Sequence, residues 1–265
     1  MRVTGQGSLL RQYLRVLYRC SSVAACIVAC LAESLFWLLV RRADRPPGYA
    51  LHKWSGWILR RLAVVVSVEG FPPARGLIVS NHLSYLDIVV FSSIAPCSFV
   101  SKNEVKWWPG IGWVASLAGT IYIDRTQPSA TRNIQPKIAA MLTQGACLVL
   151  FPEGTSGDGR SVMPFHSSLL QAAVEVRAPI TAAGITYESD NGDPRSDVCY
   201  WGEMTLLPHA LKLFRKSGIT AQVRFGSESR LFADRKQAAR ELWEEVSSLA
   251  NKVPVVAASS RGEQA

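Results

Sequence analysis

The fold of this 265-residue chain is decided by a strand-to-helix turn near residue 80. Residues 77–87 read Leu77-Ile78-Val79-Ser80-Asn81-His82-Leu83-Ser84-Tyr85-Leu86-Asp87. The short apolar run at the start is typical of a buried strand, and apolar residues at helical spacing follow from Ser84 to Ile94. We therefore predict a strand over 77–80, a helix over 84–94 that Ser84 caps, and a polar turn between them.

Strand and helix patterns alternate along the rest of the chain. Strands are predicted at Val64–Val68, Leu77–Ser80, Ser98–Ser101, Thr120–Ile123, Cys147–Phe151, Ile180–Tyr187 and Ile219–Phe225. Helices are predicted at Ser84–Ile94, Ile111–Leu117, Ala130–Thr143, His166–Val176, Leu206–Lys216 and Ala233–Asn251, and the polar segment Glu188–Asp197 is predicted to be a surface loop. This alternation predicts an α/β fold with a largely parallel, helix-covered sheet, whose functional residues gather at the carboxyl ends of the strands.

The positive charge of the chain lies almost wholly in its first quarter. Residues 1–75 hold 11 Lys/Arg and 3 Asp/Glu, a net charge of +8 out of +9 for the whole chain. A nucleic-acid-binding protein of this composition would carry its excess charge on the folded body. Basic residues that flank apolar sequence indicate a membrane surface instead.

The apolar segment Ser21–Val40 contains 16 apolar residues out of 20 and has arginines on both sides. Twenty helical residues measure about 30 Å, the thickness of a bilayer core. A second helical segment, Leu51–Val66, carries Trp54 and Trp57. We predict a membrane anchor that spans the bilayer or enters one leaflet; a buried core helix is the alternative, and the run is too long for a cleaved signal peptide.

These patterns divide the chain into three predicted parts. They are N-terminal anchoring helices over 1–62, a catalytic body over 63–252 and a flexible tail over 253–265. The six cysteines form no CxxC pair and the four histidines show no zinc-ligand spacing. We therefore expect no metal, no disulfide framework and a reducing compartment.

Polar residues follow several of the predicted strands. His82 lies five residues before Asp87, so a carboxylate in the first helical turn can hold one imidazole nitrogen and leave the other as a general base. Glu153, Gly154 and Thr155 follow the most apolar strand, where small residues leave backbone amides open to a ligand. The cations Arg125 and Lys102 follow two other strands and are candidates to bind an anionic group.

In this order the motifs resemble the glycerolipid acyltransferase family, the lysophosphatidic-acid acyltransferase type. The first block of that family, N-H-x4-D, resembles residues 81–87. Residues 102–113 are similar to its connecting segment. Residues 119–125, 151–156 and 178–180 are similar to its second, third and fourth blocks.

The resemblance implies transfer of a fatty acyl group from acyl-CoA or acyl carrier protein to the hydroxyl of a lysolipid at a membrane. His82 would be the general base and Asp87 would orient it. Arg125, Glu153, Gly154 and Thr155 match positions associated with the acceptor head group, and Lys102 is a less specific addition. No bound cofactor is implied, and the expected location is the cytoplasmic face of the cell membrane.

One position departs from the pattern of many phosphate-accepting members. These carry arginine after the threonine of the third block, where this chain has Ser156, and Arg160 is a candidate to supply the missing charge. We rank 1-acyl-sn-glycerol-3-phosphate first as acceptor, because it is the commonest substrate of the family. Lyso-ornithine lipid is the alternative acceptor, and a non-catalytic membrane lipid-binding protein is the alternative function.

Overall fold

The structure is a computed structural model that describes residues 4–40, 48–108, 110–124 and 130–251. Its strands are β1 (Val64–Glu69), β2 (Gly76–Ser80), β3 (Ser98–Lys102), β4 (Ile121–Ile123), β5 (Cys147–Leu150), β6 (Ile180–Ser189) and β7 (Ile219–Arg230). They form one sheet in the order β1-β7-β6-β2-β5-β3-β4. All neighbouring pairs are parallel except β6 and β7, which confirms the predicted fold class.

Helices cover both faces of this sheet. They are α1 (Thr4–Leu39), α2 (Tyr49–Leu62), α3 (Leu86–Ile94), α4 (Ile111–Leu117), α5 (Ala130–Thr143), α6 (Gln171–Glu175), α7 (Pro194–Asp197), α8 (Leu206–Phe214) and α9 (Arg235–Asn251). Side chains alternate along β2, so Ile78 packs with α2 and α3, whereas Leu77 and Val79 pack with α5, α6 and α9. Burial of β2 on both faces explains its continuous apolar sequence.

The two N-terminal helices form a hairpin whose members are joined by polar contacts. The Arg61 guanidinium donates to the Tyr18 hydroxyl at 2.7 Å. At the other end, Lys53 and Trp54 of α2 each donate to Glu33 of α1 at 2.8 Å. The segment Leu10–Trp37 of α1 is long and apolar enough to cross a membrane, and few of its side chains are buried. The helix therefore has the composition of a membrane segment and also a fixed partner in α2.

A buried arginine attaches α1 to the sheet domain. Arg19 is 6% exposed and donates to the carbonyl oxygens of Phe214 at 3.0 Å and of Lys216 at 2.6 Å. These carbonyls lie at the carboxyl end of α8, where the last turn of a helix leaves acceptors without an intrahelical partner. Arg15 donates in the same way to the Arg215 carbonyl at 3.2 Å.

Several predicted boundaries differ from the structure. The second helical segment ends at Leu62, because Ala63 adopts a left-handed conformation with φ 55° and β1 begins at Val64. The predicted helix His166–Val176 is a 3₁₀ turn (Ser167–Leu170) followed by the short α6. The predicted tail over 253–265 lies outside the described residues, and the division into three parts stays a prediction.

The last strand and its neighbouring loop also differ from the prediction. β7 extends five residues beyond the predicted end at Phe225 and runs antiparallel to β6. The antiparallel pairing runs from Ile180 opposite Arg230 to Ser189 opposite Ile219, so both strands are paired along their full length. The predicted surface loop Glu188–Asp197 contains α7, whose N-terminus is capped by Asp193 through a hydrogen bond from the Arg195 amide.

We expect Arg19→Ala to lower the free energy of unfolding by about 2 kcal/mol, because two buried carbonyl oxygens lose a charged donor. Arg11→Ala is the matched control, since Arg11 is exposed on the same helix. Thermal unfolding in detergent micelles measures the stability of both variants relative to wild type. Equal stability of the two variants would contradict the structural role of Arg19.

Candidate active site

The predicted polar turn lies at the carboxyl end of β2, in the middle of the sheet. Asn81 fixes it to β6, because its side-chain amide donates to the Ile185 carbonyl at 2.9 Å and its side-chain oxygen accepts from the Ile185 amide at 2.8 Å. Asn81 is buried and therefore needs both partners. These two hydrogen bonds fix the start of the turn relative to β6, and they therefore fix the position of the next residue, His82.

His82 and Asp87 are in contact, as the spacing predicts. The His82 Nδ1 atom lies 2.7 Å from the Asp87 Oδ2 atom. Asp87 has no exposed side-chain surface, whereas the His82 side chain remains 22% exposed. Since a buried carboxylate accepts from Nδ1–H, this contact favours the tautomer in which Nε2 carries no hydrogen and can accept a proton.

Three further donors surround the Asp87 carboxylate. The amides of Leu83 and Ser84 donate to Oδ2 at 2.7 and 3.1 Å, and the Tyr187 hydroxyl donates to Oδ1 at 2.7 Å. Burial, followed by the nearby Asp87 charge, raises the pKa of Tyr187 well above its usual value, so the phenol stays protonated as a donor. These hydrogen bonds give both carboxylate oxygens partners in a buried position.

The helix that carries Asp87 begins slightly later than predicted. α3 starts at Leu86, with Tyr85 rather than Ser84 in the preceding position. The Ser84 hydroxyl still accepts from the Leu86 amide at 3.3 Å. Asp87 lies in the first turn, where the helix dipole favours a negative charge.

Glu153 also positions His82, through the backbone. One carboxylate oxygen accepts from the His82 amide at 2.6 Å and the other accepts from the Met163 amide at 2.7 Å. Glu153 is 5% exposed, and burial raises its pKa to about 7 despite the two amide donors. Both oxygens are therefore engaged within the protein, so the geometry gives Glu153 a positioning contact in addition to the head-group role that the sequence predicts.

The loop after β5 encloses His82 from two more sides. The Phe151 ring stacks on the imidazole with centroids 4.2 Å apart, and the Gly157 amide donates to the His82 carbonyl at 2.8 Å. Gly154 has φ 78°, a left-handed conformation that turns the chain back towards the site and favours glycine. His82 is thus held by its ring, its amide and its carbonyl.

Thr155 and Lys102 lie together at the rim of the site. The Lys102 ammonium is 3.5 Å from the Thr155 hydroxyl, and Thr155 is exposed. Lys102 is the last residue of β3, so a cation and a hydroxyl from neighbouring strand ends meet beside the Glu153 loop. Arg125, the other predicted cation, lies outside the described residues, and its role stays a prediction.

The two polar residues discussed as phosphate contacts have partners within the protein. The Ser156 hydroxyl donates to the Tyr200 carbonyl. Arg160 forms an ion pair with Asp158 at 3.4 Å and its side chain is 70% exposed, while Arg195 pairs with the same carboxylate at 2.9 Å. Asp158 thus partly neutralises Arg160 and weakens it as a substitute for the missing family arginine.

An aromatic cluster includes Tyr85, the residue of the turn that precedes α3. The rings of Tyr85, Trp108 and Tyr200 are mutually edge-on, with centroids 5.5 to 6.3 Å apart. The Tyr85 hydroxyl lies 3.0 Å from His209 Nδ1, and burial lowers the pKa of His209, which favours a neutral ring as acceptor. The cluster packs around Tyr85, which lies in the same turn as His82.

Four contributors to the site were missed by the sequence analysis: Asn81 as an anchor to β6, Phe151 as a stacking ring, Tyr187 as a donor to Asp87, and the aromatic cluster. Tyr187 ends a predicted strand, so its position at a strand end was a usable signal. Among the residues that the structure describes, no group of three His, Cys, Asp or Glu side chains could hold a metal ion. All six cysteines are free thiols.

The fold and this geometry define a class of protein: an α/β protein with a His–Asp pair, whose carboxylate is buried, at the carboxyl end of a central parallel strand. A family model described as "Acyltransferase" matches residues 63–186. The lyso-ornithine lipid O-acyltransferase of Pseudomonas aeruginosa is 33% identical over 213 residues, which cover 76% of this chain and 80% of that protein. The enzyme of the same name from Brucella abortus is 36% identical, covering 65% of this chain and 70% of that protein.

The chain is also similar to acyltransferases that are named for a different acceptor, 1-acyl-sn-glycerol-3-phosphate. The 1-acyl-sn-glycerol-3-phosphate acyltransferase of Neisseria gonorrhoeae is 33% identical over 45% of this chain and 47% of that protein. The crystal structure of PlsC, the 1-acyl-sn-glycerophosphate acyltransferase of Thermotoga maritima, matches the fold with a TM-score of 0.65, 20% identity and coverage of 92% and 96% of the two chains. The chain belongs to the acyltransferase family that acts on lysophospholipids and related lysolipids.

The raised pKa of Glu153 predicts a pH-dependent stability. A carboxyl group with pKa about 7 in the folded chain and about 4.3 in the unfolded chain stabilises the fold fully below the lower value. That contribution is lost as the pH rises through 7. Relative to Glu153→Gln, we expect wild type to lose about 3 kcal/mol of unfolding free energy between pH 4.5 and 8.

Thermal unfolding of both proteins across this pH range, in the same detergent, tests the prediction. The Glu153→Gln variant provides the reference because its amide does not titrate. A difference between the two proteins that does not change with pH would show that Glu153 titrates normally.

Proposed function

We propose that this protein transfers a fatty acyl group from a thioester donor to the hydroxyl of lyso-ornithine lipid. The observation that carries the transfer chemistry is the 2.7 Å contact between His82 Nδ1 and the fully buried Asp87. It prepares the exposed ring nitrogen as a base for a hydroxyl group. The alternative of a non-catalytic lipid-binding protein would not need this buried carboxylate with four donors.

In the proposed mechanism, His82 Nε2 removes the proton of the acceptor hydroxyl while its oxygen attacks the thioester carbonyl. The imidazolium that forms is stabilised by Asp87, which keeps its charge throughout. Collapse of the tetrahedral intermediate breaks the carbon–sulfur bond, and the imidazolium proton passes to the leaving thiolate. The thioester is already activated, so the products form without an acyl-enzyme.

The surroundings of His82 support this base assignment. The Phe151 ring, the Glu153 carboxylate and the Gly157 amide each restrict a different part of the residue. A general base that is held in this way loses little freedom when the acceptor binds. Glu153 therefore acts as a positioning residue for His82 in the proposed reaction.

The environment of Ser156 supports lyso-ornithine lipid as the first acceptor. A phosphomonoester needs fixed cations, but Ser156 is bonded to a backbone carbonyl and Arg160 is paired with Asp158. An ornithine head group carries an ammonium and a carboxylate and needs less positive charge. The two relatives with broad coverage quoted above carry the lyso-ornithine name. This order reverses the ranking made from the sequence, which put 1-acyl-sn-glycerol-3-phosphate first as the commonest substrate of the family.

Lysophosphatidic acid remains the second candidate acceptor, because the cation of Lys102 lies beside the Thr155 hydroxyl at the rim. We further propose acyl-CoA or acyl carrier protein as donor. The cytoplasmic face of the cell membrane is the proposed location, since both donors occur in the cytoplasm. The apolar and exposed surface of α1 supports membrane association.

We expect His82→Ala to lower the rate of acyl transfer at least a hundredfold, in line with the loss of a general base. The matched control is His166→Ala, because His166 is exposed and its backbone amide and carbonyl, which the substitution keeps, make its hydrogen bonds to Pro152 and Leu169. The rate of thiol release from acyl-CoA in the presence of lysolipid measures the acyl-transfer activity of both variants. Near-normal turnover by folded His82→Ala protein would refute the base assignment.

The acceptor assignment is tested by a panel of lyso-ornithine lipid and lysophosphatidic acid with wild type and Ser156→Arg. We expect wild type to prefer lyso-ornithine lipid. The added guanidinium should shift the ratio of kcat/KM values towards lysophosphatidic acid by about tenfold, since arginine binds phosphate with two donors.

Ser161→Arg is the control for this substitution, because Ser161 is exposed in the same loop and gains the same charge. If both variants shift the ratio equally, long-range charge rather than position 156 controls acceptor choice. A wild-type preference for lysophosphatidic acid would refute the first acceptor.

A further inference from the structure

Apolar side chains are exposed on the segment between β3 and β4. Trp107 is 76% exposed and Trp113 is 65% exposed, and Ile111 and Leu117 are exposed beside them. Trp113 and Leu117 are one helical turn apart on α4 and lie on the same side of it. We call these four residues the α4 surface. Two exposed tryptophans lower the solubility of a protein, so a surface of this kind indicates an interaction site.

The segment that carries the α4 surface is held rigidly. A 3₁₀ turn, Asn103–Trp107, precedes α4. A Cβ atom at Gly112 would lie 2.1 Å from the Lys106 carbonyl oxygen, so only glycine permits this close contact between α4 and the 3₁₀ turn. The Tyr122 hydroxyl donates to the Gly112 carbonyl at 3.1 Å. The tryptophans are therefore presented outward by a fixed scaffold.

This scaffold connects the α4 surface with α1 and with the site. A Cβ atom at Gly110, just before α4, would lie 3.1 Å from Ile27 Cγ2 in the middle of α1. Trp108, next to the exposed Trp107, belongs to the aromatic cluster with Tyr85 near His82. The α4 segment thus adjoins the apolar helix and, through Trp108, the turn that carries Tyr85 and His82.

We propose that the α4 surface inserts into the lipid bilayer as a second membrane contact beside α1. The neighbouring α1 exposes apolar residues on its free side: Leu10, Tyr13, Leu14, Leu17, Val28, Leu35, Phe36 and Leu39. Tryptophan with an adjacent cation suits the headgroup layer, and the Lys106 ammonium lies 5.7 Å from the centre of the Trp107 ring. Two contacts fix the tilt of the protein, so that the site faces the surface from which a lysolipid arrives.

This inference rests on the proposed function only for its consequence, the delivery of a lipid acceptor. Insertion itself is tested by tryptophan fluorescence of the full chain bound to phosphatidylethanolamine and phosphatidylglycerol vesicles that carry brominated acyl chains. We expect Trp107→Phe/Trp113→Phe to lose a measurable part of the quenching seen for wild type. Trp201→Phe, which removes another exposed tryptophan, should keep it. Equal quenching of wild type and the double variant would overturn the proposal.

The consequence is tested by activity with two presentations of the acceptor. Trp107→Ser/Trp113→Ser should lose roughly tenfold in rate with lysolipid embedded in vesicles, because apolar area that enters the bilayer is lost. Its rate with a short-chain lysolipid dissolved as a monomer should match wild type, which also shows that it folds. Leu231→Ser, another exposed apolar residue, is the control.

A tenfold loss with both acceptors would indicate damage to the site and contradict a role confined to the membrane. An unchanged rate with vesicles would contradict the proposal directly. If wild type acylates no lysolipid, the proposed function fails, and the brominated-lipid measurement still decides whether the α4 surface enters the bilayer.

Discussion

The burial of the Asp87 carboxylate is the constraint on which the site depends. A charged group without exposed surface is stable only if its oxygens are occupied, and four donors occupy them. Two are amides of the turn, one is the His82 ring, and one is Tyr187 from the end of β6. The carboxylate thereby joins the turn, the base and a neighbouring strand, so the orientation of His82 follows from the packing of the sheet.

A second buried carboxylate completes this arrangement from the opposite side. Glu153 joins the His82 amide to the Met163 amide, so it links the β2 turn to the far end of the loop that follows β5. Burial raises its pKa to about 7, whereas Asp87 lies at the start of a helix among four donors. Two carboxylates therefore flank one histidine in different environments, one next to the ring and one at the backbone.

The sequence predicted correctly those parts of the fold that are determined by residues close together in the chain. The apolar run of β2 and the five-residue spacing from His82 to Asp87 are set within one strand–turn–helix unit. Tyr187 lies 100 residues from Asp87, and their contact follows only from the order of strands in the sheet. The antiparallel course of β7 was missed for the same reason, because a strand sequence does not state its direction. The break between the 3₁₀ turn at Ser167–Leu170 and α6 also lacks a proline or glycine signal.

The charge of the N-terminal quarter acquires a different meaning from its contacts. The sequence suggested that its arginines attract anionic lipid. Arg15 and Arg19 instead donate to carbonyls at the end of α8, and the Arg61 guanidinium bonds to Tyr18. These residues hold an apolar helix against the domain, which leaves its other side exposed beside the α4 surface. Part of the excess charge therefore fixes the position of α1 against the domain, and these arginines contribute to its packing as well as to the charge of the segment.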